Sequence, residues 1–173
     1  LHAKNLDKFD KANNISNYFS GVVLLNQSKY SESYQYFKKL NGLEKSHSAF
    51  SSKYLYSLVN SENFIQAFNY SKKLEKDKLD SYETDLIIGL YYLKNSKYEL
   101  SARYFLKAKN RNSMTILDNY VAKSLSLLSN LRNSNLEDAL KDLNQLDNRF
   151  DNLKKIQNVF INCYYSSNKT ELY

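Results

Sequence analysis

The feature that most constrains this chain is a 34-residue phase. Aromatic residues stand at Tyr30, Phe64 and Tyr98, each 34 positions from the last. Small residues follow three later, at Ser33, Ala67 and Ser101. Phe37, Ser71 and Phe105 come four further on, then Leu40, Leu74 and Ala108. Upstream, Gly21, Leu55 and Gly89 keep the interval, as do Leu24, Leu58 and Tyr92. Self-similarity at a fixed period of this size marks stacked supersecondary units, none of which can bury its apolar face alone. Steps of three and four within each copy are the spacing of one helical face. With no proline and only 3 glycines among 173 residues, little breaks helix, and Asn, Asp and Ser are left to punctuate it.

Each copy therefore reads as two antiparallel helices. The turns between them fall at Asn26-Gln27-Ser28-Lys29, Asn60-Ser61-Glu62-Asn63 and Lys94-Asn95-Ser96-Lys97. These residues suggest helix caps made by side-chain oxygens. Gly21 and Gly89 mark close helix crossings, opposite the small residues of the second helices. Phe37 and Phe105 are placed to fill the space between one repeat and the next. Asn135-Leu136-Glu137-Asp138-Ala139 with Leu143 and Leu146 forms a fourth copy, in which Leu136 comes four positions late relative to Tyr98. The four extra residues, about one helical turn, suit a longer first helix from about Ser113 to Leu131, carrying Met114, Leu117, Val121, Leu125 and Leu128. A further helix starts after Phe150, with Ile156, Val159, Phe160, Cys163 and Tyr164 on its apolar face and Cys163 as a small buried hydrophobe. Ser166-Ser167-Asn168-Lys169 reads as another turn, and Leu172 as the start of a second helix.

This pattern resembles the tetratricopeptide repeat family, which has the same period and whose signature runs aromatic, Leu-Gly, Tyr, Ala, Phe. Ile88-Gly89, Tyr92, Tyr98, Ser101, Phe105 and Ala108 match it best. The first copy departs with Ser20 before Gly21, and the second with Leu55 in place of glycine. Asn17, Ser51 and Asp85 stand where the signature has Trp, and the closing proline is absent. The resemblance implies an all-α fold, a right-handed α-solenoid of antiparallel helix pairs. The pairs would span about 14–47, 48–81, 82–112 and 113–147. Residues 1–13 would form a leading helix or extend the first one, and 148–173 a half repeat. A solenoid ending in a half repeat exposes an apolar face, so a longer array is expected.

The residues offer little chemistry. The two histidines, His2 and His47, lie far apart, and no His, Cys, Asp or Glu cluster has metal-ligand spacing. A single cysteine excludes an internal disulfide, and three isolated glycines make no phosphate loop. Glu83 and Asp85, like Glu137 and Asp138, sit at helix starts, where they offset the macrodipole. No catalytic residue, cofactor or metal is expected, so the reading is not that of an enzyme. No apolar run reaches the about 20 residues of a membrane span.

What remains is a surface. The resemblance implies a concave groove lined by the first helices. Its positions here are Tyr18, Val22 and Leu25, then Ser52, Tyr56 and Val59, then Leu86, Leu90 and Leu93. Asn26, Asn60 and Lys94 recur one step further on. Leu86 and Leu90 read equally as core between repeats. One subfamily grips a peptide carboxylate with Lys and Asn in the first repeat and Lys and Arg in the third. Tyr18, Val22, Glu83 and Ile87 occupy those places, so that clamp is missing. The expected role is a protein–protein interaction scaffold that takes a peptide or helix of a partner. The net charge of +7 and the related base-reading pentatricopeptide arrays support an alternative, RNA binding. Against it, the basic runs are only pairs (Lys38-Lys39, Lys72-Lys73, Lys154-Lys155) beside apolar stripes, and the tyrosines fall at packing positions. A third reading is the helical arm of an enzyme whose catalytic domain lies elsewhere. The Asn, Lys, Ser and Tyr bias suits an AT-rich bacterial gene. Leu1-His2-Ala3 fits the end of a trimmed export signal, which points to a periplasmic or envelope location over the cytoplasm.

Overall fold

The structure, a computed structural model, describes residues 2–40, 42–111 and 115–170, and for residues 2–10, 48 and 168–170 the backbone alone. Ser113, Met114 and Leu172 lie outside the described residues. Nine α-helices and no strand are present among the described residues: α1 (His2–Asn26), α2 (Tyr30–Phe37), α3 (Ser48–Asn60), α4 (Phe64–Lys76), α5 (Tyr82–Lys94), α6 (Tyr98–Lys109), α7 (Ile116–Ser129), α8 (Leu136–Asn144) and α9 (Asp151–Thr170). Helices adjacent in sequence pack as neighbouring pairs within two compact units, Leu1–Asp80 with α1 to α4 and Ser81–Tyr173 with α5 to α9. α1 runs unbroken from His2, so the leading segment extends the first helix.

The turns within pairs close by backbone geometry. Ser28, Glu62 and Ser96 adopt φ of 58°, 61° and 57°, the left-handed region. Lys29 N–H then donates to Leu24 O, Asn63 N–H to Leu58 O and Lys97 N–H to Tyr92 O, each at 2.9 Å. Ser28, Glu62 and Ser96 N–H groups reach Leu25, Val59 and Leu93 carbonyls at 3.0, 3.1 and 3.0 Å. This paired bonding is the Schellman motif. No side-chain oxygen caps α2, α4 or α6, whose N-caps are Lys29, Asn63 and Lys97. The polar turn residues instead donate backwards: Asn60 Nδ2 to Tyr56 O at 2.8 Å, and Asn95 Nδ2 to Tyr91 O at 2.7 Å. Side-chain caps do occur on α5, α7 and α8, at Ser81, Thr115 and Asn135.

The glycines at the crossings have a specific neighbour. A Cβ on Gly21 would stand 2.5 Å from Phe37 Cε1, and one on Gly89 2.5 Å from Phe105 Cε1. Each phenylalanine is therefore seated on the glycine of its own pair. Phe37 also reaches onward to α3, 5.7 Å from the Phe50 ring and 6.3 Å from Tyr54. The small residue three positions after the aromatic completes the crossing. Ser33 Oγ donates to Gly21 O at 2.8 Å, and Ser101 Oγ to Gly89 O at 3.0 Å. In the second pair Leu55 replaces glycine, and Ser71 replaces phenylalanine. Both are buried, so a large residue has moved from the second helix to the first.

The fourth pair departs from the expected lengthened first helix. α7 begins at Ile116, in phase with Tyr82 at the start of α5, and is only one residue longer than α5. The rest of the displacement lies in the connection, which carries a 3-10 turn at Leu131–Asn133. Asn130, Asn133, Ser134 and Asn135 favour turns over helix interiors, and burial of Leu131 pins the turn to the core. That core gathers Tyr120, Leu127, Leu131, Leu143, Leu146 and Ile161.

α9 also differs. It continues as helix through 166–170, where the residues suggest a turn, with Ser167 Oγ donating to Cys163 O at 2.9 Å. Ile161 is buried, but Ile156, Val159, Phe160 and Cys163 are exposed. Cys163 is thus not a core residue. α9 uses the face through Ile161 against α8, and no described helix covers the other side.

Candidate functional site

The expected groove positions fall on first helices, and the two units treat them differently. In the first unit, Tyr18 and Val22 are half-buried and pack with Leu25 against Phe37, Leu40 and Phe50. Tyr18 also lies 4.8 Å from the His47 ring, so His47, N-cap of α3 without a side-chain cap bond, is a packing residue here. Asn26, Ser52 and Asn60 are exposed. Tyr56 keeps 52% of its surface exposed. Its ring meets Tyr30 edge-on at 5.8 Å, and a hydrogen bond to Tyr30 holds its phenol above the ordinary value. Tyr30 opens α2, so the pair bridges α2 and α3 at the surface.

In the second unit, Leu90 is 46% exposed and Lys94 lies at the exposed end of α5. Leu86 and Leu93 are half-buried. The two readings left open for Leu86 and Leu90 thus divide, with Leu86 turned further into packing and Leu90 out to solvent. Tyr98, at the start of α6, is 37% exposed, and the Arg132 guanidinium stacks over its ring at 5.3 Å.

Two buried carboxylates are not announced by the sequence. Asp85 is wholly buried, and its place at the start of α5 is not simply that of a macrodipole charge. Arg111 Nε donates to Asp85 Oδ2 at 2.7 Å, and Lys107 Nζ lies 3.2 Å from Oδ1. Burial raises the Asp85 pKa, and the two cations offset this only in part. In the first unit, Glu44 from the loop after α2 meets Lys73 of α4 and accepts Gly42 N–H at 2.9 Å. Burial pushes Glu44 up, but the bonds from Lys73 and the backbone outweigh it and leave its pKa lowered. Lys73 and Lys107 hold equivalent positions one period apart, so the phase places a lysine in both units while the carboxylate comes from unrelated positions. The recurring lysine is the signal legible in the sequence; its partner is not.

Each carboxylate ties two elements of its unit together, Asp85 through Lys107 and Arg111 and Glu44 through Lys73, an arrangement that fits an internal strut. Among the described residues, no group of three or more His, Cys, Asp or Glu side chains could hold a metal, and no helix is long and apolar enough to cross a membrane. No protein-family model, curated protein or solved structure matches the chain.

Proposed function

We propose that this chain is a tetratricopeptide-type solenoid whose first helices hold a peptide or helix of a partner protein, and that it acts as a non-catalytic scaffold. One observation carries the reading. Tyr56 and Leu90 occupy the same repeat position, one period apart, and each is a large apolar side chain about half exposed beside a fully packed neighbour, Leu55 or Gly89. Exposed apolar side chains repeated in phase are what an amphipathic partner segment engages. Asn60 and Lys94, one turn further along, supply polar groups at the rim.

The test is affinity capture from native lysate by wild type and by the Tyr56→Glu, Leu90→Glu double variant, with and without nuclease. Both positions are exposed, so the variant keeps its helical circular dichroism spectrum and melting temperature. The reading requires a protein enriched by wild type, indifferent to nuclease and lost in the variant. A partner retained by the folded variant overturns it, and a nuclease-sensitive capture favours nucleic acid instead.

A further inference from the structure

The fourth helix pair lacks the contacts that close the first and third. Where Gly21 and Gly89 stand, α7 has Lys123; where Ser33 and Ser101 donate, α8 has Ala139; where the phenylalanines sit, α8 has Leu143. With no room made by glycine, no hydroxyl bond and a longer connection, α7 and α8 do not close completely. A cavity of about 130 Å³ remains between them and the end of α6. Its polar lining includes Lys109, Lys123, Ser126, Asn130, Asp142 and Gln145. A second, more open cavity of about 350 Å³ adjoins it, sharing Lys123 and Gln145 and reaching Tyr120 and Arg149.

Ser134 in this lining is bonded to Tyr165 at 2.9 Å, while the solvent-exposed Lys109, Asn130 and Gln145 keep their side-chain hydrogen-bonding groups free of protein partners among the described residues. Among the described residues, Lys109 and Lys123 form no ion pair within 4.0 Å, and the side chains of Ser126, Asn130 and Gln145 make no hydrogen bond within the protein. Tyr120, on the wall of the outer cavity, is only 4% exposed, and its buried hydroxyl has no partner. Asp147 beside it is already held by Arg149 through bonds of 2.9 and 2.6 Å, and feels Lys123 only through its field. Asp142 is the one acid of the inner cavity, against two lysines. A liquid water occupies about 30 Å³, so the inner space takes roughly a tetrahedral oxyanion with part of its hydration. Lysine ammonium groups with hydroxyl and amide donors are the chemistry that holds phosphate as a point charge.

We propose that the cleft between α7 and α8 is a binding site for a phosphate group, with Lys109 and Lys123 neutralising it and Ser126 and Asn130 donating to its oxygens. The phosphate is either the free ion or the head of a small monoester whose remainder occupies the outer cavity. This proposal is independent of the partner-binding face.

The test is titration of the full chain with inorganic phosphate and with glycerol 3-phosphate, at constant ionic strength set with sodium chloride, followed by amide chemical shifts. Binding is expected to saturate at one site, with the largest shifts in α7 and α8. Lys123→Gln weakens it at least tenfold, and Lys109→Gln serves in its place should the first variant lose its fold. Asp142→Asn strengthens binding severalfold, a sign that a merely structural role would not produce. Lys38→Gln, in the other unit, leaves it unchanged. Saturation by phosphate alone assigns the free ion; tighter binding of the ester assigns the monoester. Shifts that stay linear with both anions, or that survive Lys123→Gln in a folded protein, overturn the proposal.

Discussion

Gly89 lies directly beneath the ring of Phe105, so close that a single added carbon would stand 2.5 Å from Phe105 Cε1. The ring is fully buried and cannot move aside without displacing its neighbours. Gly89→Ala therefore overpacks the crossing of α5 and α6, at a cost of about 1–3 kcal/mol. Urea unfolding of the variant checks this, and an unchanged midpoint would show that the ring has room to give.

The serines of the crossings separate by what they touch. Ser101 Oγ donates to Gly89 O, so Ser101→Ala lowers stability by about 1 kcal/mol. Ser71, at the same helical face of the second pair, has a buried hydroxyl with no partner. Ser71→Ala removes that desolvated group and raises stability. Opposite signs in thermal unfolding are the expected result; equal losses would contradict this account.

Among the described residues, Gly42 has a left-handed backbone at φ 99°, but four others in that region, Ser28, Glu62, Lys78 and Ser96, carry a side chain. A residue with a Cβ carries strain there, of about 1 kcal/mol at the lower end of the usual range. Ser28→Gly, Glu62→Gly and Ser96→Gly each raise the melting temperature, because glycine adopts this conformation freely. Turns in which glycine lowers it would have to owe their stability to side-chain bonds.

The Asp85 and Arg111 pair is fully desolvated on the carboxylate side. Arg111→Met leaves that carboxylate with Lys107 as its close cation and costs about 3 kcal/mol. Adding Asp85→Leu to Arg111→Met recovers much of the loss, since no buried charge then remains. A double variant as unstable as the sum of the single ones would exclude coupling between the two side chains.

Burial raises the phenols of Tyr54 and Tyr82 to about 12, with Tyr34 and Glu44 adding to the first, and Asp118 and Glu83 to the second. The unfolded chain ionises near the ordinary value of 10. Between about 10 and about 12 the unfolded state therefore binds fewer protons, and stability falls as pH rises. The contribution is complete below pH 10 and is lost through 12. Tyrosinate absorbance should show late-titrating phenols, and Tyr54→Phe should flatten the fall in melting temperature over that window.

The 34-residue phase carries the helix pairs because its signals are local. Apolar steps of three and four specify a helical face whatever lies opposite, and a phase held from Gly21 to Ala108 repeats the same pair. The tight turns were legible for the same reason, although their closure by left-handed residues was not, since Ser28 and Glu62 do not announce that conformation as glycine would. The candidate face was legible only as a set of positions. That Tyr56 and Leu90 stand out while Tyr18 and Val22 pack inward depends on what neighbouring helices cover.

Burial is a relation between elements, and there the tertiary structure alone decided. Asp85 is enclosed because α6 brings Lys107 and the connection beyond it brings Arg111, and Glu44 because α4 brings Lys73. Cys163 is exposed because α9 turns Ile161, and not the stripe through Phe160, toward α8. The four displaced residues went mainly into a turn because Leu131 found the core there. An amphipathic pattern fixes which face of a helix is apolar, while the partner that covers it is chosen by packing against residues distant in the chain.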